Sequence, residues 1–294
     1  MTHILVYPTW KCGLKCPYCA YQLNEDGKSM TYRGSGETYK VEEELTESKL
    51  IEILKIFPKD SLVEFTGGEP LRFGGFNNAV KTLQKWAITS NTLLYQDDLD
   101  LSHCIFWTAS FHPHILDAAI ETFLFNIQKI RSRGVPVAVT IVAQPQTTTR
   151  TLQWIGRFKS MGFGTNIHLY YEDPEFDWTK YPAELKALEK TGSVRYGDRF
   201  YKWQGVAGNK ICLGGSEYFV IAPDGKMFRC ADDMLFGRTP IDKPYDFVHN
   251  CNDSCFLCCD WVHALERTFE ESNAERLPKN YSIEFKTSLD QEGT

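Results

Sequence analysis

Residues 116–143 read LDAAIETFLFNIQKIRSRGVPVAVTIVA. As far as Arg133 the pattern is that of a long amphipathic helix, and Gly134 closes it, because helices commonly end on a residue in the left-handed conformation that glycine adopts freely. Val135 to Ala143 then forms a continuous apolar, β-branched run. Such a run suits a strand buried on both faces, as strands of parallel sheets are. A helix that delivers the chain into a fully buried strand is one unit of an alternating α/β fold.

The same alternation extends in both directions. Ile4 to Tyr7 reads as a first strand. Thr46 is placed to cap a helix whose Leu50, Ile53, Leu54 and Phe57 share a face before Pro58 stops it. Leu62 to Thr66 is a second strand, followed by an expected helix over Asn77 to Trp86, a strand over Thr92 to Tyr95 and a strand over Ile105 to Phe111. Beyond residue 143 a helix is expected over Leu152 to Met161 and a strand over Ile167 to Tyr171. Six such units predict a partial (β/α)6 barrel over residues 1–200. From about residue 201 the texture changes: Tyr218 to Ile221 and Met227 to Arg229 flank Pro223-Asp224-Gly225 and read as a β-hairpin opening a small cysteine-rich α+β domain, 201–275. Residues 276–294 are polar and read as a tail.

The chain has 294 residues, enough to bury a large core without disulfides. Its ten cysteines are therefore informative, and with no secretory signal at Met1 to Pro8 the expected compartment is the reducing cytosol. The longest apolar stretch falls well short of the roughly 20 residues of a membrane span. A formal net charge of −6 without a dense Lys/Arg run gives no footprint for nucleic acid.

Cys12, Cys16 and Cys19 form C-x3-C-x2-C in WKCGLKCPYC, directly after the first strand. Three thiolates on one loop can hold three irons of a 4Fe-4S cube and leave the fourth open. A lone triplet can equally be part of a zinc site. At the end of the second strand stands Thr66-Gly67-Gly68-Glu69-Pro70, where an α/β barrel places its chemistry.

This pairing of motifs, one strand-helix unit apart, resembles the radical S-adenosylmethionine (SAM) superfamily over the first 170 or so residues. The resemblance implies that SAM chelates the open iron through its amino and carboxylate groups, with the Gly67, Gly68 and Glu69 backbone and the Glu69 side chain near the amino group. Tyr18 would lie by the adenine, and Ser110, in TASFHPH, by the ribose or carboxylate; a hydroxyl capping the next helix is the plainer reading of Ser110. Reduction by a donor such as flavodoxin or ferredoxin would split SAM to methionine and a 5′-deoxyadenosyl radical that abstracts hydrogen from a substrate C–H bond.

Further on, Cys212, Gly225 and Cys230 read C-x12-G-x4-C across the expected hairpin, and Cys255 and Cys258 form C-x2-C. This arrangement resembles the twitch domain, the shortened SPASM extension of many radical SAM enzymes. By that resemblance Cys212, Cys230, Cys255 and Cys258 bind an auxiliary 4Fe-4S cluster that accepts an electron from the substrate. Cys251 and Cys259 are surplus, and Cys251, Cys255 and Cys258 also read C-x3-C-x2-C. Zinc is an alternative for this set too. Cys104, alone before an apolar strand, reads as an ordinary buried cysteine.

Acids and bases for the substrate are sought beyond strand ends: Glu172, Asp173 and His112, with His114, Asp97 and Asp98 behind them. The polar stretch Asn24 to Glu44 is read as a lid or a plain loop. The expected outcome is a two-electron oxidation, either of a small natural-product or cofactor-pathway intermediate or of a ribosomal peptide receiving a thioether or C–C crosslink. The start of the first cluster at Cys12 leaves no room for an N-terminal leader-binding domain, which counts against the peptide. A zinc-binding interaction module is the rival from outside catalysis.

Overall fold

The computed structural model describes residues 2–250, apart from 26, 34–35, 42–43, 113–118, 171–176, 195–210, 213–214, 216–217, 236, 238 and 243–248. The chain opens with β1 (His3–Val6). A three-stranded antiparallel sheet follows: β2 (Tyr21–Leu23), β3 (Ser29–Tyr32) and β4 (Thr38–Lys40). The alternation then starts with α1 (Glu47–Leu54) and β5 (Leu62–Phe65). Thr46 caps α1 as expected, its hydroxyl accepting from the Lys49 N–H at 3.2 Å, a contact worth about 1 kcal/mol.

Next come α2 (Phe76–Val80), β6 (Trp86–Ser90), β7 (Cys104–Phe111), α3 (Ile120–Ser132), β8 (Val137–Ala143), α4 (Thr148–Ser160) and β9 (Gly164–Leu169). Gly134 follows α3 with φ +89°, the closure its sequence predicts. The chain continues through α5 (Pro182–Glu189), the two-residue β10 (Ile211–Cys212), β11 (Tyr218–Ile221), β12 (Met227–Phe228), α6 (Ala231–Leu235) and β13 (His249–Asn250), which pairs with β10.

The main sheet has eight strands in the order β12-β11-β1-β5-β6-β7-β8-β9. All neighbours are parallel except β11 and β12, so this is an α/β fold with a mostly parallel sheet. The hairpin read from Pro223-Asp224-Gly225 is present: Gly225 turns at φ +81° and Ala222 N–H meets Lys226 O at 2.9 Å. Its first strand continues the sheet, lying parallel beside β1 with Leu5 opposite Val220.

Two expectations fail between residues 77 and 95. The helix ends at Val80, and Trp86 begins a strand paired with Val63 of β5. Trp86-Ala87-Ile88 is too short a run for periodicity to separate helix from strand, and sheet pairing decides it. Thr92, expected in a strand, instead makes a tight turn with φ +67°. The stretch read as lid or loop holds β3 and β4.

Alternate residues of the strands face two environments. Ile4, Val6, Val63, Phe65, Trp107 and Phe111 pack with helix residues such as Leu50, Phe123 and Phe158 in the main core. The other face carries Glu64, Thr89, Thr108, Ser110, Thr140, Asn166 and His168, the odd polar positions of otherwise apolar strands. No helix among the described residues is long and apolar enough to cross a membrane.

Candidate active site

The loop between β1 and β2 carries the cysteine triplet across the C-terminal ends of the strands. Its backbone is docked on the segment after β5: Thr66 N–H donates to Val6 O at 2.9 Å, Gly68 N–H to Thr9 O at 3.1 Å and Glu69 N–H to Lys11 O at 2.9 Å. So close an approach demands glycine. A Cβ on Gly68 would stand 2.5 Å from the carbonyl oxygens of Trp10 and Lys11. Gly67 has φ +116°, and a Cβ there would stand 3.1 Å from Thr9 O. The two motifs that sequence places one unit apart are thus in direct backbone contact.

Glu69 turns its side chain inward and is 1% exposed. Its carboxylate accepts from Ser90 Oγ at 2.8 Å, from the Asn91 N–H at 2.8 Å and from the Leu71 N–H at 3.1 Å. Burial raises its pKa, and these three donors oppose the rise. The donors are aimed by the turn after β6. Thr92, fully buried in the left-handed region, donates its N–H to Ser90 Oγ and its hydroxyl to Ser90 O, and accepts from the Trp107 indole at 3.1 Å and, through its carbonyl, from Asn126 Nδ2 at 2.8 Å. A β-branched residue in this conformation is strained by about 1–3 kcal/mol. These four hydrogen bonds hold it there.

Cys12 is exposed, and Cys16 and Cys19 are half-buried. Leu14 N–H points at Cys12 Sγ (3.5 Å) and Tyr21 N–H at Cys19 Sγ (3.4 Å). Burial pushes Cys16 up to about 12, with the charges of Cys19 and Cys12 adding to the rise. Three thiolates so close together need a cation, and the backbone N–H groups stabilise sulfur ligands once it is bound. By donor type, three cysteines on one loop fit three irons of a 4Fe-4S cube with the fourth left open.

Tyr18, 3% exposed, donates or accepts at 2.8 Å with His112 Nδ1, and the two rings stack at 5.8 Å. The same nitrogen lies 3.7 Å from Cys16 Sγ. His112 follows β7 and so belongs to the site, beside the cysteine loop. Ser110 lies half-buried on the polar face, level with Thr140, which in turn is level with Asn166. Arg33, between β3 and β4, spans the site: Nη2 donates to Pro17 O at 2.6 Å and Nη1 to the Tyr170 hydroxyl at 3.2 Å.

Cys230 is buried in an apolar cluster with Tyr7, Trp10, Tyr32 and Met234, next to the root of the cysteine loop. Cys212 enters through its backbone, opposite His249. Glu172, Asp173, His114, Cys251, Cys255, Cys258 and Cys259 lie outside the described residues. Asp97 and Asp98 are not at this end of the sheet. Asp97 pairs with Lys129, and its carbonyl accepts from Arg133, both at the C-terminal end of α3 where the chain returns to the start of β8. The strand assumed to end before them does not exist. Cys104 is buried, as expected.

Sequence reading missed Arg33, Ser90, Asn91, Thr92, Thr140, Asn166 and His168. The last three carry a signal: polar residues at every second position of a strand mark a wet face. Nothing local marks Arg33.

No protein-family model and no curated protein sequence matches the chain. Its structure is similar to that of native anSMEcpe with bound AdoMet, at 15% identity and a TM-score of 0.60 over 93% of this chain and 97% of that one. It is also similar to native anSMEcpe with bound AdoMet and Kp18Cys peptide, at 16% identity and a TM-score of 0.56 over 91% and 83% of the two chains. A third similar structure is Streptococcus suis SuiB bound to precursor peptide SuiA, at 13% identity and a TM-score of 0.57 over 82% of this chain. The chain spans 62% of the length of that SuiB. With the docked motifs above, these likenesses show that the chain has the fold of radical SAM enzymes.

Proposed function

We propose that the chain is a radical SAM enzyme that oxidises a C–H position of its substrate. The observation that carries this reading is the docking of Gly67-Gly68-Glu69 on the cysteine loop, which brings the thiol triplet and a ligand-facing backbone within one site. Cys12, Cys16 and Cys19 hold a 4Fe-4S cluster, reduced by a flavodoxin or ferredoxin. The ammonium of SAM is a donor and is received by backbone carbonyl oxygens of Gly67 to Glu69, while the Glu69 carboxylate, expected near it, is buried and already accepts from Ser90, Asn91 and Leu71. Tyr18 lies by the adenine, and Ser110 takes the ribose or carboxylate. When bound, this cluster supplies the electron that splits SAM into methionine and a 5′-deoxyadenosyl radical, and a second cluster is the acceptor for the electron the oxidised substrate gives up.

Residues 201–275 form the twitch-like extension for that second cluster, with Cys212, Cys230, Cys255 and Cys258 as ligands. The position of Cys230 beside Tyr7 and Trp10 supports this, since it puts one candidate ligand next to the first cluster's loop. His112, Glu172 and Asp173 are the candidate acid–base groups. Of the two substrate classes, a peptide gains support from the peptide-bound structures of SuiB and anSMEcpe. A small natural-product intermediate stands beside it.

Electron paramagnetic resonance of the anaerobically reconstituted, reduced protein tests the assignment. A cluster signal that changes shape when SAM is added is the expected result. Stoichiometric zinc with no such signal would make the chain a zinc-binding interaction module.

A further inference from the structure

Among the described residues no carboxylate pairs with Arg33, and its Nε–H is buried with no hydrogen-bond partner. The guanidinium does not swing freely: Pro17 O, between Cys16 and Tyr18, holds one end, and the Tyr170 hydroxyl, one residue past β9, holds the other. The backbone N–H of Arg33 is itself fixed to Ala20 O at 2.9 Å. Two neutral acceptors orient the group without neutralising it.

A half-buried charge without a partner is costly, and a guanidinium fork is matched in geometry to a carboxylate. Nothing is gained for the fold by holding an unpaired charge against the cysteine loop, when a neutral side chain could make the same two contacts. We propose that Arg33 is the receptor for a ligand carboxylate at the C-terminal ends of the strands. This rests on the radical SAM reading, under which two carboxylates reach this site: that of the methionyl group of SAM, and that of the substrate, whether an acidic side chain, a peptide C-terminus or a small acid. The Tyr170 hydroxyl and Pro17 O together fix the orientation of the guanidinium.

The test compares reconstituted wild type with R33M, which keeps an unbranched stem as far as the Nε position and removes the charged guanidinium. Two quantities are measured: affinity for SAM and for decarboxylated SAM, and the thermal shift that acetate gives the SAM-bound holoenzyme over chloride at equal ionic strength. If the carboxylate belongs to SAM, R33M loses at least tenfold in SAM affinity and nothing for the decarboxylated form. If it belongs to the substrate, SAM affinity is kept, and acetate stabilises wild type but not R33M. Equal SAM affinity and an equal acetate response in both proteins overturn the proposal and leave Arg33 a structural clamp. R33K keeps the charge but not the fork, and should retain part of either response; it carries the comparison if R33M does not fold. A wild type that loads iron yet binds no SAM would instead overturn the functional reading beneath the proposal.

Discussion

Ser90 Oγ donates to Glu69 Oε1 at 2.8 Å while accepting the Thr92 N–H at the same distance. One hydroxyl therefore joins the end of β6 to the motif after β5, inside a site where neither partner meets water. Glu69 is held as part of the scaffold that docks the cysteine loop.

Ser90→Ala leaves a buried carboxylate short of one donor and the Thr92 N–H short of its acceptor. A loss of about 2–3 kcal/mol in unfolding free energy is expected, measured by denaturant titration. Ser90→Thr, which keeps the hydroxyl, should recover part of it. An effect near zero would mean the network is not formed.

At Thr92 the usual order of substitutions should invert. Alanine is normally preferred to glycine by about 0.5–1 kcal/mol within regular structure, but at φ +67° alanine keeps the strain and glycine removes it. Both variants lose the bond to the Trp107 indole. Thr92→Gly should therefore be more stable than Thr92→Ala, and the reverse order in thermal melts would contradict the turn geometry.

Gly68→Ala places a methyl group 2.5 Å from two carbonyl oxygens and must push the cysteine loop off β5. Overpacking of this kind costs about 1–3 kcal/mol. The more telling readout is iron: the variant should fold yet bind the first cluster poorly, so that iron per chain falls from about eight toward about four after reconstitution.

Much of this site is legible from local sequence. The cap at Thr46, the closure at Gly134 and the strand over Leu62–Phe65 each depend on neighbours within a few residues, and the two motifs sit where the strands predict. What escapes is non-local. Trp86 becomes a strand residue because β5 is there to pair with it, and Asp97 and Asp98 are carried to the opposite end of the sheet by that shift. The hairpin at Pro223 is readable, but its place beside β1 is a property of Leu5 and Val220 together. Arg33 belongs to the site only because a three-stranded sheet folds it back against Pro17.

The two proposed clusters can be separated by function. With Cys255→Ala and Cys258→Ala together, deoxyadenosine should still form while oxidised product does not, once circular dichroism confirms that the variant folds. Wild-type yields of oxidised product would make the C-terminal site structural.

The most direct test of the whole account is the fate of SAM itself. Reduced, reconstituted enzyme should convert SAM to 5′-deoxyadenosine and methionine in equal amounts, slowly even without substrate, and Cys16→Ala should abolish the conversion. If chromatography of the products gives S-adenosylhomocysteine instead, or if Cys16→Ala cleaves SAM as wild type does, the radical assignment is wrong.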